Sequence, residues 1–294
     1  MKPRVRAARP GPGRLLTRAL VAWAAVMATL LATAGCDRSS AQARIPRPDH
    51  IVVVIEENQS YDAVIKSAQA PYLNQLARQG ASLTQFYALT HPSQPNYLAL
   101  FSGSFLGISD DSCPHTLTSR NLGSQLLEAD LSFVGYAQSM PRVGFTGCAD
   151  GAYVRRHNPW VNFNNLPASV NRPWTDFPRD FTDLPTVAFV VPDLEHDMHD
   201  GSVRQADTWL RNSLGDYADW AMTHNSLLVV TWDEDDLEGP NRVPTILVGE
   251  HVQPGDHAQP NNQYGLLRML LDAYDLKPLH HSADVEPVDV WGDD

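Results

Sequence analysis

Apolar residues recur along this chain in short, β-branched runs separated by stretches with helical periodicity. The runs at 50–56, 186–191, 226–232 and 245–249 are continuous rather than alternating, the pattern of strands buried on both faces. Residues 71–79 place apolar side chains at helical spacing and stop at Gly80, while 122–129, 203–224 and 264–274 also read as helices. Further strands are expected at 82–88 and 132–137, with a helix starting around Pro95. Strands alternating with helices predict an α/β fold, a mainly parallel central sheet with helices on both faces. Residues 138–183 break that rhythm. Pro141, Pro159, Pro167, Pro173 and Pro178 stand there among many Asn and Asp residues, and an irregular excursion is expected.

The first 35 residues have a different character. Lys2, Arg4, Arg6, Arg9, Arg14 and Arg18 precede a 16-residue apolar stretch, Ala19 to Ala34. That is short of the roughly 20 residues a membrane-spanning helix needs, and it matches a signal-peptide core. Two processing routes remain open. Ala32-Thr33-Ala34 is an A-x-A site for release, whereas Ala34-Gly35-Cys36 reads as a lipobox that would leave Cys36 lipidated and in contact with a membrane. Three cysteines in an exported chain leave one spare, since Cys113 and Cys148 can form a disulfide with each other. The expected organisation is a signal peptide of the lipoprotein type at 1–35, a polar tether at 36–48 and one large α/β domain at 49–294.

Charge narrows the partners. The whole chain has 22 basic and 34 acidic residues, a net charge of −12; without residues 1–35 it would have 16 and 34, or −18. Nucleic acid is therefore not an expected partner.

Hard oxygen ligands cluster where the apolar runs end. Glu57 and Asn58 follow the first, and Asp233 and Glu234 follow Leu227–Trp232. Packed carboxylates repel one another unless protons or a cation neutralise them, so the pairing points to a divalent cation. Asn58 to Asp62 also fits a plain helix cap. Asp235 and Asp236 are expected to face water. Ser93, in Thr90-His91-Pro92-Ser93-Gln94-Pro95-Asn96-Tyr97, should stand at a helix N-terminus, where free N–H groups favour a phosphoryl group. It could equally be an ordinary cap. The densest cluster, Asp193-Leu194-Glu195-His196-Asp197-Met198-His199-Asp200, follows another apolar run; His199 could act as acid or base there, with Asp193, His196 and Asp197 as its support or as metal ligands.

Taken together, Ile55-Glu56-Glu57-Asn58-Gln59-Ser60-Tyr61-Asp62, Pro92-Ser93-Gln94-Pro95-Asn96-Tyr97, Asp197-Met198-His199-Asp200-Gly201 and Thr231-Trp232-Asp233-Glu234 resemble the bacterial phosphoesterase family of acid phosphatases and phospholipases C. Tyr264-Gly265-Leu266-Leu267-Arg268 resembles that family's late His-Tyr-Ser-Leu-Leu-Arg helix. The resemblance implies an alkaline-phosphatase-like fold, an exported metal-dependent acid phosphatase, and hydrolysis of phosphomonoesters through a phosphoserine. By position, Ser93 would be the nucleophile, His199 a phosphate-contacting acid or base, and Glu57, Asn58, Asp233 and Glu234 the metal site. His91, Asn96, Asp193, His196, Asp197 and His257 are weaker candidates for substrate contacts. Substrates would be phosphorylated small molecules or phospholipids, including phosphatidylinositol 3-phosphate. A phosphodiesterase of the phospholipase C type and a non-catalytic surface lipoprotein on the same fold are the alternatives. One position departs from the pattern: the family's late His is Gln263 here, so either His257 replaces it or that ligand is missing.

Overall fold

The computed structural model describes residues 45–292, so the leader, Cys36 and most of the tether lie outside the described residues. In chain order, β1 (His50–Glu56) leads to α1 (Tyr61–Val64), α2 (Pro71–Gln79), β2 (Ala81–Leu83) and β3 (Phe86–Tyr87). Then come α3 (Ser93–Ser102), α4 (Leu122–Glu128), β4 (Phe133–Ala137), β5 (Ala149–Asp150), β6 (Tyr153–Val154) and β7 (Asn171–Pro173). The chain closes with β8 (Val187–Val191), α5 (Val203–Ala221), β9 (Ser226–Trp232), β10 (Thr245–Gly249), β11 (Gly255–His257), β12 (Asn261–Asn262) and α6 (Gln263–Asp272).

Eight strands form the central sheet, in the order β11-β2-β10-β9-β1-β8-β4-β7. Its centre is parallel, because β1 pairs in parallel with both β8 and β9, and β4 with β8 and β7. β10 alone runs antiparallel, between β9 and β2. The sheet is mainly parallel, as the continuous apolar runs predict: every residue of β9, and Ile51 to Glu56 of β1, is buried, so neither face meets water. The helices form two groups, α2 with α5 and α3 with α4 and α6.

Two expectations needed adjustment. The strand expected at 82–88 is two pieces. A turn at Thr84 and Gln85 separates them, Thr84 donates from both N–H and hydroxyl to the His257 carbonyl, and β3 leaves the main sheet to pair with β12. The helix expected around Pro95 starts at Ser93, with Pro95 in its first turn, where its missing N–H costs nothing.

Residues 138–183 are indeed irregular, built of short 3-10 turns and two-residue strands, and the Cys113–Cys148 disulfide ties this region to the loop after α3. The described part of the tether is anchored: Ile45 lies against the core, Arg47 stands over the Tyr274 ring at 5.3 Å, and Tyr274 donates to the Pro48 carbonyl at 3.0 Å. Because β1, β4, β8 and β9 are mutually parallel, the residues that follow them emerge at one edge, where open α/β sheets bind ligands.

Candidate active site

At that edge β1 and β9 continue into each other's side chains. Asp233 N–H donates to the Glu56 carbonyl at 3.1 Å, and Asn58 N–H donates to Asp233 Oδ1 at 3.3 Å. Asn58 takes a left-handed conformation, φ 51°, which turns the chain so that its amide meets that carboxylate. Glu57, fully buried, donates its N–H to the Asp197 carbonyl at 2.7 Å, which ties the loop after β8 to the end of β1.

Ser93 opens α3 and is itself buried. Its hydroxyl lies 3.1 Å from Glu57 Oε2 and 3.4 Å from Glu234 Oε1; with one proton to donate, it serves one of them at a time. Asn96 and Tyr97, three and four residues on, share its helix face. Asn96 Nδ2 donates to Glu234 Oε2 at 3.3 Å, and the Tyr97 hydroxyl donates to Glu57 Oε1 at 2.5 Å. His91 reaches the same corner, with Nδ1 3.1 Å from Glu234 Oε2 and Nε2 3.4 Å from Asp235 Oδ1. The N–H of Gln94, beside the nucleophile candidate, donates to Asp111 Oδ1 at 2.9 Å.

The third wall comes from the loop after β8. Asp197 Oδ1 accepts the His199 N–H at 2.8 Å. His157, on the 3-10 turn Arg155–His157, is stacked on Tyr97 with ring centroids 5.3 Å apart; its Nε2 lies 3.2 Å from Glu57 Oε1 and its Nδ1 3.3 Å from Asp197 Oδ2. Arg156 Nη2 contacts His199 Nε2 at 3.2 Å, while His199 Nδ1 is 2.7 Å from Asp200 Oδ1. A guanidinium only donates, so Nε2 of His199 must be the accepting, unprotonated nitrogen and Nδ1 carries the proton toward Asp200.

Electrostatics set this cluster apart from the rest of the core. Burial pushes Glu57 well above the ordinary carboxylate range, and the charges of Asp233 and Asp197 push it further. Burial and Glu234 do the same to Asp233. Glu234 is pushed up to about 8 by burial and then by Asp111, and Asp197 to about 7 by burial. His157 is driven the other way, held neutral by burial and by the neighbouring Arg156 and His199. Carboxylates this crowded stay neutral unless a cation joins them.

The donor set fits such a cation. The ligating atoms of Glu57, His157 and His199 lie within 4.8 Å of one another. Both ring nitrogens of His157, Asp197 Oδ2 and Asp233 Oδ2 are buried without an aligned hydrogen bond. Two imidazole nitrogens and several carboxylate oxygens converging in this way suit a borderline divalent ion.

Of the sequence candidates, Glu57, Asn58, His91, Ser93, Asn96, Asp197, His199, Asp233 and Glu234 are joined by these contacts. Asp193 and His196 instead bind each other at 2.7 Å, together with Ser139 and Gln138, and His196 faces Trp209. His257 lies on edge strand β11, its Nε2 2.9 Å from the Gln253 carbonyl. Gln263 is buried at the site and donates from Nε2 to the Asp233 carbonyl at 2.9 Å, with its Oε1 unpartnered.

Asp235 corrects the expectation that it faces water. It is 1% exposed, and its carboxylate accepts the N–H groups of Leu237 and Asn241, closing the loop after β9; Asp236 is half-buried and accepts from Ser60. Four participants were not singled out from the sequence: Tyr97, Asp111, Arg156 and His157. Only Tyr97 carried a usable signal, its i+4 spacing from Ser93.

Comparison with known proteins identifies the family and the fold. The sequence profile of the phosphoesterase family matches residues 63–277. The chain is 46% identical over 257 residues to a phosphatidylinositol-3-phosphatase of Mycobacterium tuberculosis, covering 86% of each chain. It is 33% identical over 217 residues to a probable acid phosphatase of Kluyveromyces lactis, covering 67% of this chain and 50% of that one. Among solved structures, a protein in the alkaline phosphatase superfamily from Vibrio parahaemolyticus superposes with a TM-score of 0.56 at 13% identity, covering 84% of this chain and 72% of that one, a likeness of fold.

Proposed function

This chain belongs to the phosphoesterase family and is a phosphoric monoester hydrolase, and we propose that it acts through a phosphoserine at Ser93 with the help of a bound divalent cation. The observation that carries this reading is the Ser93 hydroxyl, buried at the start of α3 and 3.1 Å from Glu57 among carboxylates that cannot all be ionised unaided. Glu57, His157, Asp233 and Glu234 would hold the ion, leaving His199 Nε2 free for proton transfer, with Asn58 shaping the turn beneath it. Such an ion lowers the pKa of a hydroxyl beside it and offsets negative charge on a phosphoryl group.

Ser93 Oγ attacks phosphorus and gives its proton to the carboxylate it contacts, Glu57 or Glu234, as the ester P–O bond breaks and the leaving oxygen takes up a proton from solvent. His199 then serves the second step. Its unprotonated Nε2 accepts a proton from the water that attacks phosphoserine, and Asp200 at Nδ1 stabilises the resulting imidazolium; as the P–Oγ bond breaks, Ser93 Oγ takes its proton back from the carboxylate and inorganic phosphate leaves. Uncatalysed monoester hydrolysis is slow enough to need accelerations of up to ~10²¹-fold, so charge stabilisation must supply most of the effect.

The substrate reading is a phosphoinositide, such as phosphatidylinositol 3-phosphate, supported by the name of the 46% identical relative. The protein would be exported, either anchored through a lipid on Cys36 or released; among the described residues no helix is long and apolar enough to cross a membrane. Ser93→Ala tests the chemistry. It should lower p-nitrophenyl phosphate turnover by at least about 10⁴-fold with the melting temperature unchanged, the scale seen when a nucleophile is deleted. Near-normal turnover in the folded variant would remove Ser93 from the mechanism.

A further inference from the structure

Arg155 and Arg156 are neighbours on one 3-10 turn, yet their guanidinium groups are used differently. Arg155 commits its donors to the irregular excursion: Nε to Asn162 Oδ1 at 3.0 Å, Nη1 to the Thr146 carbonyl at 2.7 Å, and Nη2 to the carbonyls of His115 and Val161 at 2.7 and 3.2 Å. Arg156 makes one hydrogen-bond contact among the described residues, from Nη2 to His199 Nε2 at 3.2 Å. Its Nε is shielded from solvent and meets no acceptor, with Asp111 Oδ2 standing 4.0 Å away. A guanidinium offers five donors in a planar fork, and a shielded donor without an acceptor is costly.

Both neighbours of Arg156 lead back to the nucleophile. His199 clusters with Glu57, whose Oε2 is 3.1 Å from Ser93 Oγ. Asp111 accepts the N–H of Gln94, the residue after Ser93. Ser93, Glu57 and Asp233 are buried, whereas the Arg156 and His199 side chains keep 26% and 29% of their surface exposed, so these two form the solvent side of the site. A substrate phosphoryl group entering over Ser93 from the solvent side would pass this guanidinium, and the other charged groups the nucleophile contacts, Glu57 and Glu234, are acidic.

We propose that Arg156 binds the terminal phosphoryl oxygens of the substrate and so sets a preference for monoesters over diesters. A monoester has three charged non-bridging oxygens and a diester two. A donor fork on the solvent side of the site can therefore meet three charged oxygens in the first and only two in the second. Arginine–phosphate pairs are charge-assisted and geometrically selective, so the difference falls on the transition state as well as on binding. Asp111 stands 4.0 Å from Nε, beyond hydrogen-bonding distance, and leaves the fork's donors available.

This inference rests on Ser93 being the nucleophile of a phosphomonoesterase. The test compares kcat/KM for p-nitrophenyl phosphate and bis(p-nitrophenyl) phosphate, and the inhibition constant of inorganic phosphate, in the wild type, Arg156→Ala and Arg156→Lys. Arg156→Ala should lower the monoester value by about 100-fold and the diester value by only a few-fold, and should weaken phosphate inhibition by about tenfold or more. Arg156→Lys, which keeps the charge and loses the fork, should fall between. Equal losses on both substrates, or unchanged phosphate inhibition in whichever variant folds, would overturn the role of Arg156. A wild type inert on both substrates would instead remove the phosphatase reading, and this inference with it.

Discussion

Three side chains converge on the carboxylate of Glu57: Ser93 at Oε2, and Tyr97 and His157 at Oε1. Tyr97 serves two of the others as well, because its ring stacks on His157 and it shares a helix face with Ser93. Removing only its hydroxyl leaves packing intact and deprives Glu57 of its shortest hydrogen bond. The bond favours the ionised carboxylate, and burial already opposes ionisation, so Tyr97→Phe should make Glu57 harder to ionise and a poorer cation ligand. Titration calorimetry should show divalent-ion affinity weakened by about 10-fold or more, as for other groups that orient a ligand from behind. Affinity equal to wild type would show that Tyr97 does not act through Glu57. The residues of this corner differ in how far the sequence discloses them. Ser93, Glu57 and Asp233 are readable because each stands at the end of a patterned element. His157 is not, because it lies in a stretch without periodicity and only the folded excursion brings it to 3.2 Å from Glu57.

The excursion is itself placed by an element-level contact. Gly135, in the middle of β4, leaves room for the Trp160 ring: a Cβ there would stand 2.1 Å from Trp160 Cε2, with two further ring atoms at 2.4 Å. Trp160 follows Arg155–His157 by three residues and is almost wholly buried, so it fixes the turn that carries Arg156 and His157 against the sheet. Gly135→Ala should therefore destabilise the fold by about 1–3 kcal/mol through overpacking, and also depress turnover by moving that turn. Urea denaturation together with p-nitrophenyl phosphate assays would check both effects, and a fully active, fully stable variant would show that the contact relaxes freely. At this scale β1, β9 and β10 were legible to the residue, because continuous burial leaves an unambiguous mark on composition. The break between β2 and β3 was not, since it depends on Thr84 binding the carbonyl of His257, a partner 173 residues away. The excursion could be recognised only as irregular, because prolines and asparagines rule out long elements without saying where the chain goes.

For the whole molecule, the buried carboxylates tie stability to pH. In the unfolded chain these groups ionise near pH 4. In the fold, Asp197 is raised to about 7 and Glu234 to about 8, so the folded protein retains protons that the unfolded chain has lost. The stability this represents is fully present below about pH 4 and is lost as pH rises through 7 to 8. His157 works in the opposite direction: held neutral in the fold, it favours the unfolded chain only below its ordinary pKa of about 6.5. From pH 6.5 to 8 the histidine drops out and the carboxylates alone set the slope. In the presence of a chelator, the melting temperature should therefore fall steadily over this interval. A saturating divalent ion would replace the protons as the neutralising charge, so the slope should flatten and the gain in melting temperature on adding the ion should grow with pH. Calorimetric scans at pH 6.5, 7, 7.5 and 8, with chelator and then with metal restored, would decide it. A chelated protein whose melting temperature holds level or rises across that interval would mean that the carboxylates of this site are ionised and paired by some other means.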